Sequence, residues 1–281
     1  MWKYPKVPKV AFTYWAGPMT KLHYLVLQSV LKFNSDWKIL FYQPVHEYKG
    51  EKTWQTIEHS IKYAGVDYRT RLSELKGLEI INIDFEKIGF RNDVPEVYKS
   101  NFLTYYRLSN EGGVWFDTDV LFIKPLNELD LSEKIIYGDF ETLEVAISYE
   151  PVQGYFSTGI LMGAPNTEFF KTLLKQLYKS FDPKVYMSAT NLLYPQLFKN
   201  IQGIRTVFPK LYYANLGMDI FYPYRWNEME TLFESNKGLE RITSKVIGIH
   251  WFNGSPVTEK FLNEGNYTKD VLINQIIKKY L

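Results

Sequence analysis

Residues 112–126 narrow the range of possible folds more than any other stretch of the chain. They read GGVWFDTDVLFIKPL, so Asp117 and Asp119 stand between two apolar, strand-like runs. Aspartate is unfavourable inside a strand, and two neighbouring carboxylates that are both buried repel each other. The segment therefore predicts a buried strand that ends at the two aspartates, with a binding partner for their charge.

A divalent cation would satisfy both carboxylates. Hard oxygen ligands suit Mg²⁺ or Mn²⁺, and Mg²⁺ is typically held by one or two carboxylates, with water and substrate phosphates completing its shell. In an open α/β sheet, ligands bind beyond the carboxyl ends of the strands, where Asp117 and Asp119 would lie. The alternative interpretation is a solvated turn, because short triplets of this kind arise by chance in many proteins.

The rest of the chain alternates between strand and helix patterns. Strands are predicted at 10–15 and 37–42, and residues 20–33 between them have apolar positions at helical spacing. This βαβ beginning favours a parallel sheet with helices on its faces. The other predicted elements are, in chain order, a strand at 78–83, a helix from Pro95 to the glycine pair capped by Asn92 or Asp93, strands at 145–149 and 155–162, a helix capped by Asn166, a helix at 188–198 and a strand at 246–250.

Composition supports one large α/β domain and excludes several kinds of site. The 281 residues are 46% hydrophobic, which suits a sizeable core, and no repeat or linker divides them. The absence of cysteine excludes disulfides, thiol catalysis and cysteine-metal sites. The formal charge of +2 is too small to argue for nucleic-acid binding.

The sequence predicts no integral membrane segment. No stretch approaches the roughly 18 apolar residues of a membrane span, and the N-terminal MWKYPKVPKVAFTYW lacks the apolar core of a signal peptide. We therefore expect a cytoplasmic protein. The C-terminal stretch YTKDVLINQIIKKYL has the pattern of an amphipathic helix. Its apolar face could pack on its own domain or bind a membrane surface, and the sequence leaves both alternatives open.

Residues 100–126, SNFLTYYRLSNEGGVWFDTDVLFIKPL, resemble the core of the sugar-binding DXD glycosyltransferases of GT-A fold. That family includes certain mannosyltransferases, bacterial capsular polysaccharide transferases and the glucosylating domains of large clostridial toxins. Its pattern is a helix of the form S-D-x-x-R, two glycines, an apolar triplet, D-x-D and an apolar strand. FTYWAG at 12–17 and GIHWFNGS at 248–255 resemble the first strand and the late H-x-W-x-x-S element of the same family.

The resemblance implies a Rossmann-like, mostly parallel central sheet flanked by helices, and it implies a metal site. Asp119 would ligate Mn²⁺ or Mg²⁺, Asp117 would contact the sugar or ribose as well as the metal, and His250 would be a third ligand. A lone histidine at a strand end is also commonly structural. The implied catalytic residues are Asp117, Asp119 and Asn191, and the implied donor-binding residues are Thr13, Trp15, Ser100, Asn101, Asp117, Thr158, Trp251, Asn253 and Ser255.

The sequence departs from the family pattern in the helix before the glycine pair. Asn101 stands where the family has an acid, and Thr104 stands where it has an arginine. In the relatives those two residues help to hold the sugar and the diphosphate. Arg107 lies about one turn further on, where it would face a different side of the helix.

The predicted function is metal-dependent transfer of a sugar from a nucleoside-diphosphate sugar, with a UDP-sugar favoured and with retention of configuration. We expect a single domain that spans residues 1–281. Two segments are expected to shape its acceptor side: 46–77, which has the pattern of helical excursions, and 210–240. The acceptor stays open among a glycan, a lipid-linked saccharide, a protein and a modified nucleic-acid base. The alternatives are a nucleotidyltransferase and a catalytically inactive carbohydrate- or nucleotide-binding protein.

Overall fold

The computed structural model describes residues 1–51 and 63–281. The strands of these residues are, in chain order, β1 (Val10–Tyr14), β2 (Lys38–Pro44), β3 (Leu78–Ile83), β4 (Gly113–Phe116), β5 (Val120–Phe122), β6 (Ile135–Tyr137), β7 (Val145–Glu150), β8 (Tyr155–Gly163), β9 (Tyr213–Asn215) and β10 (Gly248–His250). Their α-helices are α1 (Lys21–Phe33), α2 (Glu96–Asn110), α3 (Glu168–Ser180), α4 (Leu193–Leu197), α5 (Ile204–Val207), α6 (Met229–Phe233), α7 (Pro256–Glu264) and α8 (Leu272–Tyr280).

An eight-stranded sheet of order β3-β2-β1-β4-β8-β7-β9-β6 lies at the centre of the molecule. β1 pairs in parallel with β2 and β4, β2 pairs in parallel with β3, and β7 pairs in parallel with β9. The pairings of β8 with β4 and β7, and of β6 with β9, are antiparallel. β5 and β10 form a separate two-stranded sheet. The predicted α/β fold, with a mostly parallel central sheet flanked by helices, is confirmed.

Two apolar cores cover the two faces of the sheet. In β1, Ala11 packs in the core that includes residues of α1 and α8, whereas Phe12 packs in the core that includes residues of α2 and α3. Val114 and Trp115 of β4 divide between the two cores in the same way. This alternation follows from the twofold period of a strand, and burial on both faces explains why these strands read as continuous apolar runs.

The predicted caps of two helices are wrong. Asn92 donates to Asp84 Oδ1 at 3.1 Å and Asp93 pairs with Arg91 at 2.7 Å, so α2 begins after Pro95 without a side-chain cap. Asn166 lies in the left-handed region with φ of 63°, and the neighbouring Thr167 is the N-cap of α3.

The predicted helix at 188–198 is shorter than expected, since residues 188–192 form turns and only Leu193–Leu197 is α-helical. Part of the predicted helical segment 46–77 lies outside the described residues, and its described part contains a 3₁₀ helix at Tyr68–Glu74. α8 buries Leu272, Ile273 and Ile276 in the domain's own core, so its apolar face is covered. Within the described ranges, no helix is both long and apolar enough to cross a membrane.

Candidate active site

The aspartate pair lies in the tight connection between β4 and β5. The Asp117 N–H donates to Gly159 O of β8 at 2.8 Å, and the Val120 N–H donates to Asp117 O at 3.0 Å. β5 then pairs antiparallel with β10, which places His250 opposite Val120. This pairing brings a histidine from late in the chain to the end of the strand that carries the aspartates.

Asp117, Asp119 and His250 form a compact group that suits a divalent cation. His250 Nε2 lies 3.2 Å from Asp119 Oδ1 and 3.7 Å from Asp117 Oδ2. One ligand atom from each residue lies within 4.8 Å of the other two. Two carboxylates and one imidazole are a donor set that Mn²⁺ or Mg²⁺ accepts. The three residues that the sequence predicts as metal ligands therefore meet at one point.

Neighbouring donors fix the orientation of both carboxylates. Trp115 Nε1 donates to Asp117 Oδ1 at 2.9 Å, and the Asn253 N–H donates to Asp119 Oδ2 at 2.8 Å. Each aspartate thus keeps its other oxygen for His250 or a cation. Hydrogen bonds of this kind hold metal-ligating side chains in place and reduce the entropy lost on binding.

Burial and mutual charge shift the protonation of this group. Burial raises the pKa of Asp119, and the negative charge of Asp117 raises it further, against the opposing effect of His250. Burial disfavours the imidazolium form of His250, but the facing carboxylates of Asp119 and Asp117 outweigh it and raise the pKa. A bound divalent cation would take the place of a proton on this group and offset the charge of both carboxylates.

A cavity of about 1050 Å³ opens over this group. Its size is at the upper end of ordinary ligand sites, so it has room for more than one small molecule. The carboxylates among its described lining residues are Glu96, Asp117, Asp119, Glu150 and Glu259, and the guanidinium among them is Arg225. Because the lining is so acidic, an anionic diphosphate would be repelled unless a cation lay between it and the aspartates.

Two family models match the chain and together account for most of it. Residues 23–136 match the glycosyltransferase sugar-binding region containing the DXD motif, and residues 163–280 match the alpha 1,4-glycosyltransferase conserved region. The chain belongs to the DXD-motif glycosyltransferases. The predicted resemblance is thereby confirmed, and the aspartates of the motif are Asp117 and Asp119.

Solved structures of other glycosyltransferases resemble this glycosyltransferase at low sequence identity. PaToxG glycosyltransferase is 16% identical over 72% of this chain and 73% of its own, with a TM-score of 0.48. An active-site mutant of LgtC is 15% identical over 86% of both chains, with a TM-score of 0.39. GlyE of Streptococcus pneumoniae TIGR4 is 14% identical over 87% of this chain and 54% of its own, with a TM-score of 0.43. No curated protein sequence matches the chain significantly.

Most of the donor-binding residues predicted for the glycosyltransferase line the cavity, and three do not. Thr13 is fully buried within β1, and Ser255 is buried at the start of α7. The Trp251 side chain is also fully buried and packs against His23, with ring centroids 5.0 Å apart. The predicted donor-binding residues that reach the cavity are Trp15, Ser100, Asn101, Asp117, Thr158 and Asn253. The predicted catalytic residues Asp119 and Asn191 and the predicted metal ligand His250 also line it.

Trp15 lies at the cavity wall on a fixed support. Its indole Nε1 donates to Gly17 O at 3.1 Å, and its ring lies 4.1 Å from the ring of His23, tilted by 38°. His23 is fully buried, its Nδ1 lies 2.8 Å from Thr20 Oγ1, and burial lowers its pKa to about 3. The histidine is therefore neutral at pH 7 and supports Trp15 as an uncharged ring.

The helix that departs from the family pattern offers no replacement for the missing arginine. The Thr104 hydroxyl donates to Ser100 O at 2.8 Å, within α2. The Arg107 guanidinium lies over the rings of Phe12 and Tyr42 and pairs with Glu111. Neither side chain lines the cavity. Arg107 therefore faces away from the cavity, as its position one turn further along the helix predicts.

Tyr222, which the sequence did not single out, is a neighbour of Asp117, Asp119 and His250, the candidate metal site that we term the metal group. Its ring stacks on His250 with centroids 5.1 Å apart and planes at 27°, and its hydroxyl accepts from Ser157 Oγ at 2.6 Å. Phe252 contacts the same imidazole, with ring centroids 4.3 Å apart. Tyrosine 222 follows a loop without periodic pattern, so only the packing reveals its role.

Proposed function

We propose that residues 1–281 act as one glycosyltransferase domain that moves a sugar from a nucleoside-diphosphate sugar, first of all a UDP-sugar, to an acceptor hydroxyl. The observation that carries the proposal is the Asp117, Asp119 and His250 group at the base of an acidic cavity. An anion with two phosphates enters such a cavity only in company with a cation. The preference for UDP rests on the family resemblance.

The three residues fit a Mn²⁺ or Mg²⁺ ion. A bound cation would supply Lewis-acid stabilisation of the charge that develops on the leaving diphosphate. Asp119, held by the Asn253 N–H, would be the direct carboxylate ligand, and Asp117 would serve both cation and donor. His250 would complete the protein's share of the coordination shell.

Other residues of the cavity would bind and orient the donor. Trp15 presents an aromatic wall on which a nucleobase can stack. Asn101, Thr158 and Asn191 bring amide and hydroxyl groups to the same cavity, where they would bind sugar hydroxyls. Positioning of this kind contributes much of the rate acceleration in group transfer because it removes the entropy cost of the encounter.

We also propose that transfer retains the anomeric configuration, by attack of the acceptor on the face of the sugar that the diphosphate leaves. This step rests on the family resemblance. The leaving phosphate oxygen would take the proton of the acceptor hydroxyl. NMR of the product measures the anomer directly, and an inverted anomer would contradict the proposal.

A catalytically inactive binding protein is the second candidate. Thr104 and Arg107 both lie away from the cavity, so α2 brings no counterpart of the family's arginine to it. Release of nucleoside diphosphate separates the two candidates, because a binding protein holds the donor without cleaving it.

Calorimetric titration tests whether nucleotide binding requires both the cation and Asp119. UDP and GDP are titrated into the wild type and Asp119→Ala, each with Mn²⁺ and with EDTA. We expect one nucleotide, UDP, to bind only when both Mn²⁺ and Asp119 are present. Asp93→Ala is the matched control, because Asp93 is exposed, pairs with Arg91 and lies outside the cavity lining. Binding that persists in EDTA or in Asp119→Ala would overturn the metal assignment.

A further inference from the structure

An exposed aromatic ring stands at the mouth of the cavity, on a stretch that we term the rim segment, residues 225–227. Trp226 is 39% exposed, and it and its two neighbours line the cavity. The indole meets Phe252 edge to face, with centroids 5.8 Å apart, and Phe252 in turn lies 4.3 Å from His250. A continuous line of rings therefore connects the metal group to the rim.

The rim segment is rigid because its ends are tied to the domain. The Arg225 N–H donates to Glu228 Oε2 at 2.7 Å, and Glu228 accepts two bonds from Arg241 at 3.1 and 2.8 Å. The Arg225 guanidinium pairs with Glu150 Oε2 at 2.7 Å. An indole that is held in place at the mouth of a cavity is a ready-made binding platform, because a ligand that stacks on it costs little side-chain entropy.

The charge around this platform favours a neutral ligand. Arg225 is offset by Glu150, whose side chain is only 15% exposed, so no free guanidinium faces the mouth among the described lining residues. The other carboxylates of the described lining are Glu96, which pairs with Lys99, Asp117 and Asp119, which face His250, and Glu259. A polyanion such as a nucleic acid or a sulfated glycan would be repelled, whereas neutral sugar hydroxyls can bond to the carboxylates and amides.

We propose that the rim segment and Tyr155 form the acceptor subsite, that its occupant is a neutral saccharide, and that the Trp226 ring stacks on the apolar face of a sugar unit. Tyr155 is 36% exposed and lines the same mouth. The inference rests on the proposed function. In the step it serves, an acceptor oxygen bonds to the anomeric carbon as the bond from that carbon to the phosphate oxygen breaks, and the hydroxyl proton passes to the leaving diphosphate.

Saturation-transfer NMR tests the subsite without relying on turnover. Neutral disaccharides of glucose, galactose, mannose and N-acetylglucosamine are mixed with the protein, UDP and Mg²⁺, which avoids the line broadening of Mn²⁺. We expect at least one disaccharide to bind, and to bind about tenfold more weakly to Trp226→Ala. Trp226→Tyr should restore most of the binding because it restores a ring.

Controls separate this inference from the proposed function. Tyr178→Ala removes an aromatic ring that is 51% exposed and lies outside the cavity lining, so it should leave saccharide binding unchanged. UDP affinity, measured on the same samples, reports on the donor side. The acceptor subsite is contradicted, and the proposed function is not, if UDP and Mg²⁺ bind but no disaccharide does. The same holds if a heparin tetrasaccharide or a deoxyoligonucleotide binds better than the disaccharides. If UDP itself fails to bind with Mg²⁺ or Mn²⁺, the proposed function fails first.

Discussion

The imidazole of His250 rests directly against the backbone of Gly159. A methyl group placed on that glycine would lie 2.8 Å from His250 Nε2 and 2.8 Å from the Tyr222 hydroxyl. Real side chains do not approach so closely, so any larger residue would push the histidine away from the aspartates. Gly159 in β8 therefore leaves room for the side chain of His250 in β10.

Gly159→Ala should weaken metal binding by about 10–100-fold, the range seen when residues that orient metal ligands are changed. Calorimetric titration of Mn²⁺ measures the affinity. Gly154→Ala is the control, because a methyl there meets no atom within 4 Å, although its φ of 64° adds a backbone cost. Unaltered Mn²⁺ affinity in Gly159→Ala would contradict the role given to His250.

Tyr222→Phe should lower the free energy of unfolding by about 1–2 kcal/mol, because the buried Ser157 hydroxyl loses its partner. The ring on His250 is kept, so Mn²⁺ affinity should change little. Urea denaturation and Mn²⁺ titration measure the two effects separately. Tyr178→Phe removes a surface hydroxyl bond to Gly89 O and should cost much less. A large loss of Mn²⁺ affinity in Tyr222→Phe would show that the hydroxyl itself serves the site.

Lys99→Met should destabilise the fold by about 3 kcal/mol, because it leaves a carboxylate and a carbonyl without their buried cation. The Lys99 ammonium is fully buried and donates to Glu96 Oε1 at 3.0 Å and to His46 O at 2.7 Å. Lys171→Met is the matched control, since Lys171 pairs with Glu168 at the same helical spacing but in an exposed position. Thermal or urea unfolding measures both. Equal effects of the two substitutions would contradict the prediction.

His23 should make stability fall as the pH drops below about 6.5, the ordinary pKa of an unfolded histidine. Burial lowers the folded-state pKa to about 3, so between these values the unfolded chain takes up a proton that the fold excludes. The stabilisation is complete above pH 6.5 and should shrink by about 1.4 kcal/mol on going from pH 7.5 to 5.5.

Urea denaturation of the wild type and His23→Gln at those two pH values isolates this contribution, because the other groups titrate alike in both proteins. His46→Gln, at an exposed position, is the control and should keep the wild-type dependence. The same pH dependence in His23→Gln as in the wild type would contradict the prediction.

The sheet and the metal group were within reach of sequence reasoning, and their surroundings were not. Parallel strands buried on both faces are long apolar runs, which is why β1 and β2 could be predicted. The edge strand β3 is largely exposed, and it could be predicted from its own apolar run, LEIINI. β6 and β9 have three residues each and carry no periodic signal. α7 does carry helix start and stop signals in the sequence, with Ser255 and Pro256 at its start and Gly265 at its end.

The support of the site depends on packing between distant segments. His250 could be predicted as a ligand because the family pattern contains it. Its contacts with Tyr222 and Gly159, and the pairing of Arg225 with Glu150, join residues far apart in the sequence. No local sequence pattern encodes these contacts, since they depend on the pairing of β5 with β10 and on the loops around it.

The pairing of β5 with β10 also sets the order in which the site can be built. The two aspartates lie within the first matched region and the histidine within the second, so neither half alone holds the complete ligand set. During synthesis the chain must emerge past β10 before a cation can gain all three ligands. If the group binds a cation, as we propose, binding by all three ligands must follow the synthesis of β10. A product truncated before β10 would keep both aspartates but lack His250.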